Sequence, residues 1–257
     1  MSSLRPLAII PARLASSRLP RKALLDLAGE PMVVRVLRRI ESSPSLCGAL
    51  VVTDSDEIHE AVSNRAGRVI LSRAPCASGT ERVARCAQSQ ALSELIKRDR
   101  IEWDGEWLIN VQGDEPLLPL SSLESLTASL SEWKARGIHI VTLAHKLPHE
   151  REAREAQLND PSAVKVCVRS DMRALIFSRA AVGREVALRH IGVYALHISV
   201  IETLLSERSA LSIAEDLEQL TWLERGEEIG VVLSEPHPKG VDTPDDLERT
   251  RRALSYT

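Results

Sequence analysis

The apolar positions of this 257-residue chain fall into two rhythms. Short apolar-rich runs recur at Leu7 to Ile10, Ala49 to Thr53, Val69 to Leu71, Glu106 to Val111, His139 to Ala144 and Ile229 to Leu233. Runs of this length without polar alternation predict strands buried on both faces, as in a parallel sheet. Between them, Met32, Val33, Val36, Leu37 and Ile40 recur at helical spacing, with arginines interleaved. A further helical stretch reaches about Ala66, and Ser78-Gly79-Thr80 opens a long one. Strand, helix and strand in this order predict βαβ units.

The second half is less regular. Ser121 and Glu124 read as a capping box for a helix. Lys146 to Gln157 is polar and predicts a surface excursion. Ala163 to Val168 and Ala174 to Ser178 read as two strands about the turn Arg169-Ser170-Asp171, a hairpin outside the parallel core. Arg189 to Ala195 predicts another strand, with His190 and Tyr194 on one face. Ser212 and Glu215 read as a second capping box, opening a helix that carries Leu217, Leu220 and Leu223 and places Glu215 and Gln219 on one face. Thr243 suits an N-cap, Pro244 the first helical position and Asp246 the third, which leaves Asp242 free to point elsewhere. The expectation is an α/β fold with a mixed, mostly parallel sheet flanked by helices, and one domain over residues 1–257 with an excursion at about 146–200.

Composition narrows the function. A net charge of −3 gives no support to a nucleic-acid or membrane-surface role, and no apolar run is long enough to span a bilayer. The start carries no signal segment, so a cytoplasmic address is expected. Cys47, Cys76, Cys86 and Cys167 are scattered and read as reduced thiols rather than a disulfide frame or zinc site.

The candidate chemistry gathers after predicted strands. Pro11 to Lys22 follows the first strand and carries Arg13, Arg18, Arg21 and Lys22 among small and hydroxylic residues. Ligands of open α/β sheets sit beyond strand carboxyl ends, and guanidinium forks, an ammonium and loop amides suit a polyphosphate. No Gly-x-Gly-x-x-Gly follows that strand, which argues against a dinucleotide-dependent oxidoreductase. Gln112-Gly113-Asp114-Glu115-Pro116 sets a carboxylate at a strand end, where it can hold Mg²⁺ against phosphate oxygens or simply make a turn.

Seven segments in order resemble one family: Ile10 to Pro20, Ala77 to Arg82, Asn110 to Pro116, Phe177 to Ala180, Arg189 to Tyr194, Leu217 to Leu220 and Val241 to Glu248. Together they are similar to the 3-deoxy-manno-octulosonate cytidylyltransferases, the CMP-Kdo synthetases of lipopolysaccharide biosynthesis. The stretch Leu211 to Leu220 resembles the chlamydial branch. The resemblance implies a nucleotide-diphospho-sugar transferase fold, CTP and Kdo as substrates, Mg²⁺ (two ions expected) and a homodimer. It implies phosphate ligation by Arg13 and Lys22 with Ala12, Ser17 and Arg18 beside them, and cytosine and ribose contacts from Ser78, Gly79 and Thr80 supported by Arg82. It further implies Asp114 and Asp242 as metal ligands, and a sugar-acid site of Gln112, His190, Tyr194, Glu215 and Gln219, with Arg179 as partner for the Kdo carboxylate. Where the family reads Gly-Lys-Pro, this chain has Arg21-Lys22-Ala23, which could alter the loop or add a phosphate contact. The stretch after Ala180 is also shorter than is common there, which bears on sugar choice and dimer contact. A cytidylyltransferase for sialic acid or amino-Kdo, and an inactive nucleotide-binding homologue, are the alternatives.

Overall fold

Alternate residues of the first strand, β1 (Leu7–Ala12), enter two different cores: Ala8, Ile10 and Ala12 pack into one, Leu7 and Ile9 into the other. A strand buried on both faces has no solvent side on which to place polar residues, which explains its unbroken apolar run. The computed structural model describes residues 5–16, 19–236 and 240–255. Ser17 and Arg18 of the basic loop lie outside the described residues.

The strands that follow are β2 (Asp26–Leu27), β3 (Glu30–Pro31), β4 (Gly48–Thr53), β5 (Val69–Leu71), β6 (Trp107–Asn110), β7 (Ile140–Lys146), β8 (Lys165–Val168), β9 (Ala174–Ser178), β10 (Leu188–His197) and β11 (Ile229–Leu233). The main sheet has the order β11-β7-β10-β6-β1-β4-β5. Along that path only β10 runs against the others, antiparallel to both β6 and β7. Parallel pairs join β1 to β4 and β6, β4 to β5, and β7 to β11. The β8–β9 pair is not detached: β8 pairs with the start of β10 and extends the same sheet.

The helices are α1 (Met32–Glu41), α2 (Asp56–Ser63), α3 (Gly79–Ala87), α4 (Gln90–Asp99), α5 (Leu120–Ala135), α6 (Arg151–Asn159), α7 (Ile201–Leu204), α8 (Ala210–Glu215), α9 (Gln219–Glu224) and α10 (Pro244–Ser255). Four expectations change here. The long helix after Ser78 is two helices, because the Ser89 hydroxyl caps a new start by accepting from Leu92 N–H. The polar excursion contains α6, capped by the Glu150 carboxylate. Helix α5 starts one residue before Ser121, behind Pro119 and with no side-chain cap, so Ser121 and Glu124 form no capping box. The cap of α8 is Ser209, while Ser212 lies inside the helix and Glu215 ends it. Asp216 then adopts φ +50°, a left-handed conformation that Asp tolerates better than most residues and that breaks the helix. Glu215 and Gln219 therefore sit on separate helices. At α10 the expected cap is present: Thr243 Oγ1 accepts from Asp246 N–H, and Asp246 Oδ2 accepts from Thr243 N–H. No helix among the described residues is long and apolar enough to cross a membrane.

Candidate active site

Two cavities of about 420 and 450 Å³ open beyond the carboxyl ends of β1 and β6. Their shared wall carries Gln112, Asp114, Asp242 and Arg13, together with Ser78 and Gly79. One extends along the basic loop to Ala12, Lys22 and Arg82. The other extends to Arg189, His190, Tyr194, Glu218 and Gln219. The fold thus makes a cleft with one end along the basic loop and the other lined by residues of β10, joined at a pair of carboxylates.

Glycine explains how residues 128 positions apart in sequence reach each other. A Cβ on Gly240 would lie 2.9 Å from the Asp114 carbonyl oxygen and 2.9 Å from Glu115 Oε1. Its absence lets the chain before α10 lie against the Asp114 turn, where Val241 N–H donates to Asp114 O at 2.8 Å. Asp242 then faces Asp114 across one ammonium: Lys22 Nζ donates to Asp114 Oδ2 at 2.5 Å and to Asp242 Oδ1 at 2.9 Å. Burial opposes the lysine charge, but the pull of Asp114 and hydrogen bonds to both carboxylates outweigh it and hold its pKa above the ordinary lysine value. Burial, then the adjacent charge of Asp114, pushes Glu115 up to about 8. Gly240→Ala is expected to part the two aspartates and lower turnover about ten- to hundredfold, while the melting temperature moves less. Steady-state rates beside a thermal melt check it, and unchanged turnover would mean that the spacing has slack.

Arg21, whose counterpart in the family pattern is glycine, adopts φ +56°, the left-handed region where glycine is at ease. Its guanidinium pairs with Glu57, so it turns away from the cleft and adds no contact there.

Ser78 Oγ caps α3 by accepting from Glu81 N–H at 3.0 Å. Gly79 packs where a Cβ would come within 3.1 Å of Pro11 Cγ and 3.2 Å of Gln112 Oε1, so a larger residue would have to press these neighbours aside to keep this helix start against β1. Thr80 is buried and lines neither of these two cavities; its hydroxyl donates to Glu218 Oε1 at 2.5 Å and accepts from Asn110 Nδ2 at 2.9 Å. Arg82 donates to Asp54 Oδ2 at 2.6 Å, tying α3 to the end of β4.

His190 and Tyr194 do share a face, with ring centroids 5.5 Å apart, although β10 carries a bulge between Ile191 and Tyr194. Bulges beside clefts re-aim side chains. The Thr142 hydroxyl has one proton and lies 2.8 Å from Val193 O, so His190 Nε2–H donates to Thr142 Oγ1 at 2.9 Å. Burial pulls the His190 imidazole down to about 3, which keeps the ring neutral. Burial raises the Tyr194 phenol well above its usual value. Gln219 is buried and lines the same cavity as His190 and Tyr194.

Two expected contacts are placed differently. The side chain of Glu215 lines neither cavity of the cleft, because the break at Asp216 turns the chain; Glu218 stands there instead. Burial raises the pKa of Glu218, against hydrogen bonds from Ser78 and Thr80. Arg179 does border the cleft, but its guanidinium donates to three backbone carbonyls, those of Glu215, Pro161 and Asp216, each at 3.2 Å. Three of its five N–H donors hold two chain segments together. Glu218 and Arg189 were both missed by sequence reasoning, although each is a neighbour of a residue singled out, Gln219 and His190.

The fit to a divalent cation rests on the donor set. Among the described residues no three metal-ligating side chains form a cluster. Two carboxylates already gripping an ammonium, next to the basic loop, match the way Mg²⁺ is held by one or two carboxylates plus substrate oxygens.

Residues 7–229 match the family described as Cytidylyltransferase. Relatives named 3-deoxy-manno-octulosonate cytidylyltransferase occur in Rhodopseudomonas palustris. That of strain BisB5 is 39% identical, covering 97% of this chain and 98% of its own. That of strain BisA53 is 38% identical, covering 99% of each. A solved CMP:2-keto-3-deoxy-manno-octonic acid synthetase complexed with CTP superposes with a TM-score of 0.80 and 32% identity, over 98% of this chain and 99% of that one. A 4-diphosphocytidyl-2C-methyl-D-erythritol synthase from Anaerococcus prevotii shares the fold at a TM-score of 0.56 and 15% identity, over 98% of this chain and 99% of its own.

Proposed function

The chain belongs to the 3-deoxy-manno-octulosonate cytidylyltransferase family, and from that membership we infer that it transfers the cytidylyl group of CTP to Kdo, giving CMP-Kdo and pyrophosphate. The single observation that carries this reading is the convergence of Lys22, Asp114 and Asp242 at the junction of the two cavities.

In this reading the basic loop takes the triphosphate, with Arg13 and the Lys22 ammonium as its cations. Ser78 and Gly79 border the nucleoside. The end beside β10 takes the sugar acid, where Gln112, Gln219 and the unprotonated Nδ1 of His190 are neutral groups for its hydroxyls. The 2-hydroxyl attacks the α-phosphorus and the bond to pyrophosphate breaks. Lys22 serves the leaving group by offsetting the charge that gathers on it, which requires its ammonium to exchange carboxylate partners for phosphate oxygens. Asp114 and Asp242 would hold Mg²⁺, which when bound supplies a lowered hydroxyl pKa and neutralises phosphate charge. Mg²⁺ dependence, a homodimer and a place in lipopolysaccharide synthesis are parts of the same proposal. Exposed Leu175, Ile176 and Val186, within residues 146–200, offer apolar surface for a second copy.

The test is a substrate panel: CTP, UTP, ATP and GTP, each with Kdo, sialic acid and amino-Kdo, with pyrophosphate as readout. Release should be fastest with CTP and Kdo. Faster release with another sugar acid would reassign the substrate, and none with any pair would leave a binding protein.

A further inference from the structure

Four arginines border the cavity beside β10: Arg13, Arg179, Arg189 and Arg208. The guanidinium of Arg179 is committed to three backbone carbonyls. That of Arg208 is committed to Ser212 and Asp216. Arg13 is exposed, lies on the wall shared by the two cavities and is assigned to the triphosphate in the reading above. Arg189 is different. It sits on β10 beside His190, opposite Lys165 of β8 and His145 of β7. It is largely withdrawn from water, and among the described residues its guanidinium makes no hydrogen bond or ion pair. Glu115 and Asp160 attract its charge and Arg249 opposes it, and none of the three is an ion-pair partner of it.

A half-buried fork of five donors without an acceptor is costly unless something completes it. A carboxylate is the planar, two-oxygen acceptor that such a fork fits. We propose that Arg189 of β10, not Arg179, receives the carboxylate of the sugar acid and makes the site select acids over their neutral derivatives. This deepens the reading of the cavity beside β10 given above and rests on it. Arg179 then acts at one remove, as a strut that keeps the Pro161 and Glu215–Asp216 segments in the cavity wall. Buried Lys165 works alongside it, donating from Nζ to the carbonyls of Asp160 at 2.9 Å and Arg179 at 2.5 Å.

The experiment compares wild type with Arg189→Met, Arg189→Lys and Arg179→Met. Each is assayed for pyrophosphate release at varied Kdo and at varied CTP. Inhibition by the carboxamide of Kdo is measured on each, with a thermal melt as control for folding. Arg189→Met should raise KM for Kdo about ten- to hundredfold, the loss typical of one charge-assisted contact. KM for CTP should stay within about twofold. Arg189→Lys should recover part of the loss. The preference of wild type for the acid over its carboxamide should collapse in Arg189→Met, an effect that loosening of the fold would not produce. Arg179→Met should lower the melting temperature and raise both KM values together. An unchanged KM for Kdo in Arg189→Met, an equal rise in both KM values, or a selective rise in Arg179→Met would overturn the assignment. An inactive wild type with CTP and Kdo would remove the reading beneath it, and the assignment with it, which distinguishes the two failures.

Discussion

Lys22→Met is expected to lower turnover by about two to three powers of ten, the usual loss when one preorganised charge contact is removed from a developing anion. The ammonium is the group that touches both Asp114 and Asp242, and it is mostly shielded from solvent. Methionine keeps the stem's bulk and removes the charge. Two effects separate. The leaving pyrophosphate loses its cation, which appears in kcat. The free protein also loses the cation that holds two facing carboxylates together, so it should bind Mn²⁺ more tightly than wild type when no nucleotide is present. Mn²⁺ titration followed by electron paramagnetic resonance reads the second effect without any turnover. Near-normal kcat would make Lys22 only a structural tie between strand ends, and unchanged Mn²⁺ affinity would mean that its ammonium does not occupy the cation's place.

Asp242→Asn is expected to have a comparable effect, again about two to three powers of ten in rate. The substitution is close to isosteric and leaves the start of α10 alone, because the cap uses Thr243 and Asp246, and Asp242 meets it through its backbone N–H, which donates to Asp246 Oδ2. Stability should therefore change little while activity falls. Asn retains an oxygen for Lys22 Nζ but loses the charge that a divalent cation needs beside Asp114. Raising Mg²⁺ should recover part of the lost rate, since a weakened site fills at higher concentration. Asp114→Asn should behave alike. Normal turnover of Asp242→Asn at ordinary Mg²⁺ would remove Asp242 from the metal assignment. A rate equally low at every Mg²⁺ concentration would point to a role in geometry instead.

The sheet was legible because its strands are buried on both faces. β5 and β11 begin and end where their apolar runs do, and α1 follows its helical spacing closely. Asp242 was legible for a local reason: the capping chemistry of Thr243 and Asp246 left it unexplained, and in the fold it points to Lys22. The segment around Glu215 was not. Continuing one helical period across it ignored that Asp216 can enter the left-handed region, and a single such residue moved the carboxylate of the cleft from Glu215 to Glu218. The roles of the two arginines were out of reach for another reason. Whether a guanidinium is spent or available depends on which backbone carbonyls meet it, and those of Pro161, Glu215 and Asp216 come from distant parts of the chain. Local pattern carries no record of that meeting.

At the centre lies one physical claim: a cation gripped by Asp114 and Asp242, beside the cationic loop, makes this cleft a cytidylyl-transfer site. The most direct measurement is pyrophosphate release from CTP and Kdo by the full chain, with Mg²⁺ present and again after EDTA. Release that needs both substrates, stops with EDTA and returns with added Mg²⁺ is the expected result. Release that persists undiminished in EDTA, or that proceeds at the same rate without Kdo, would contradict it.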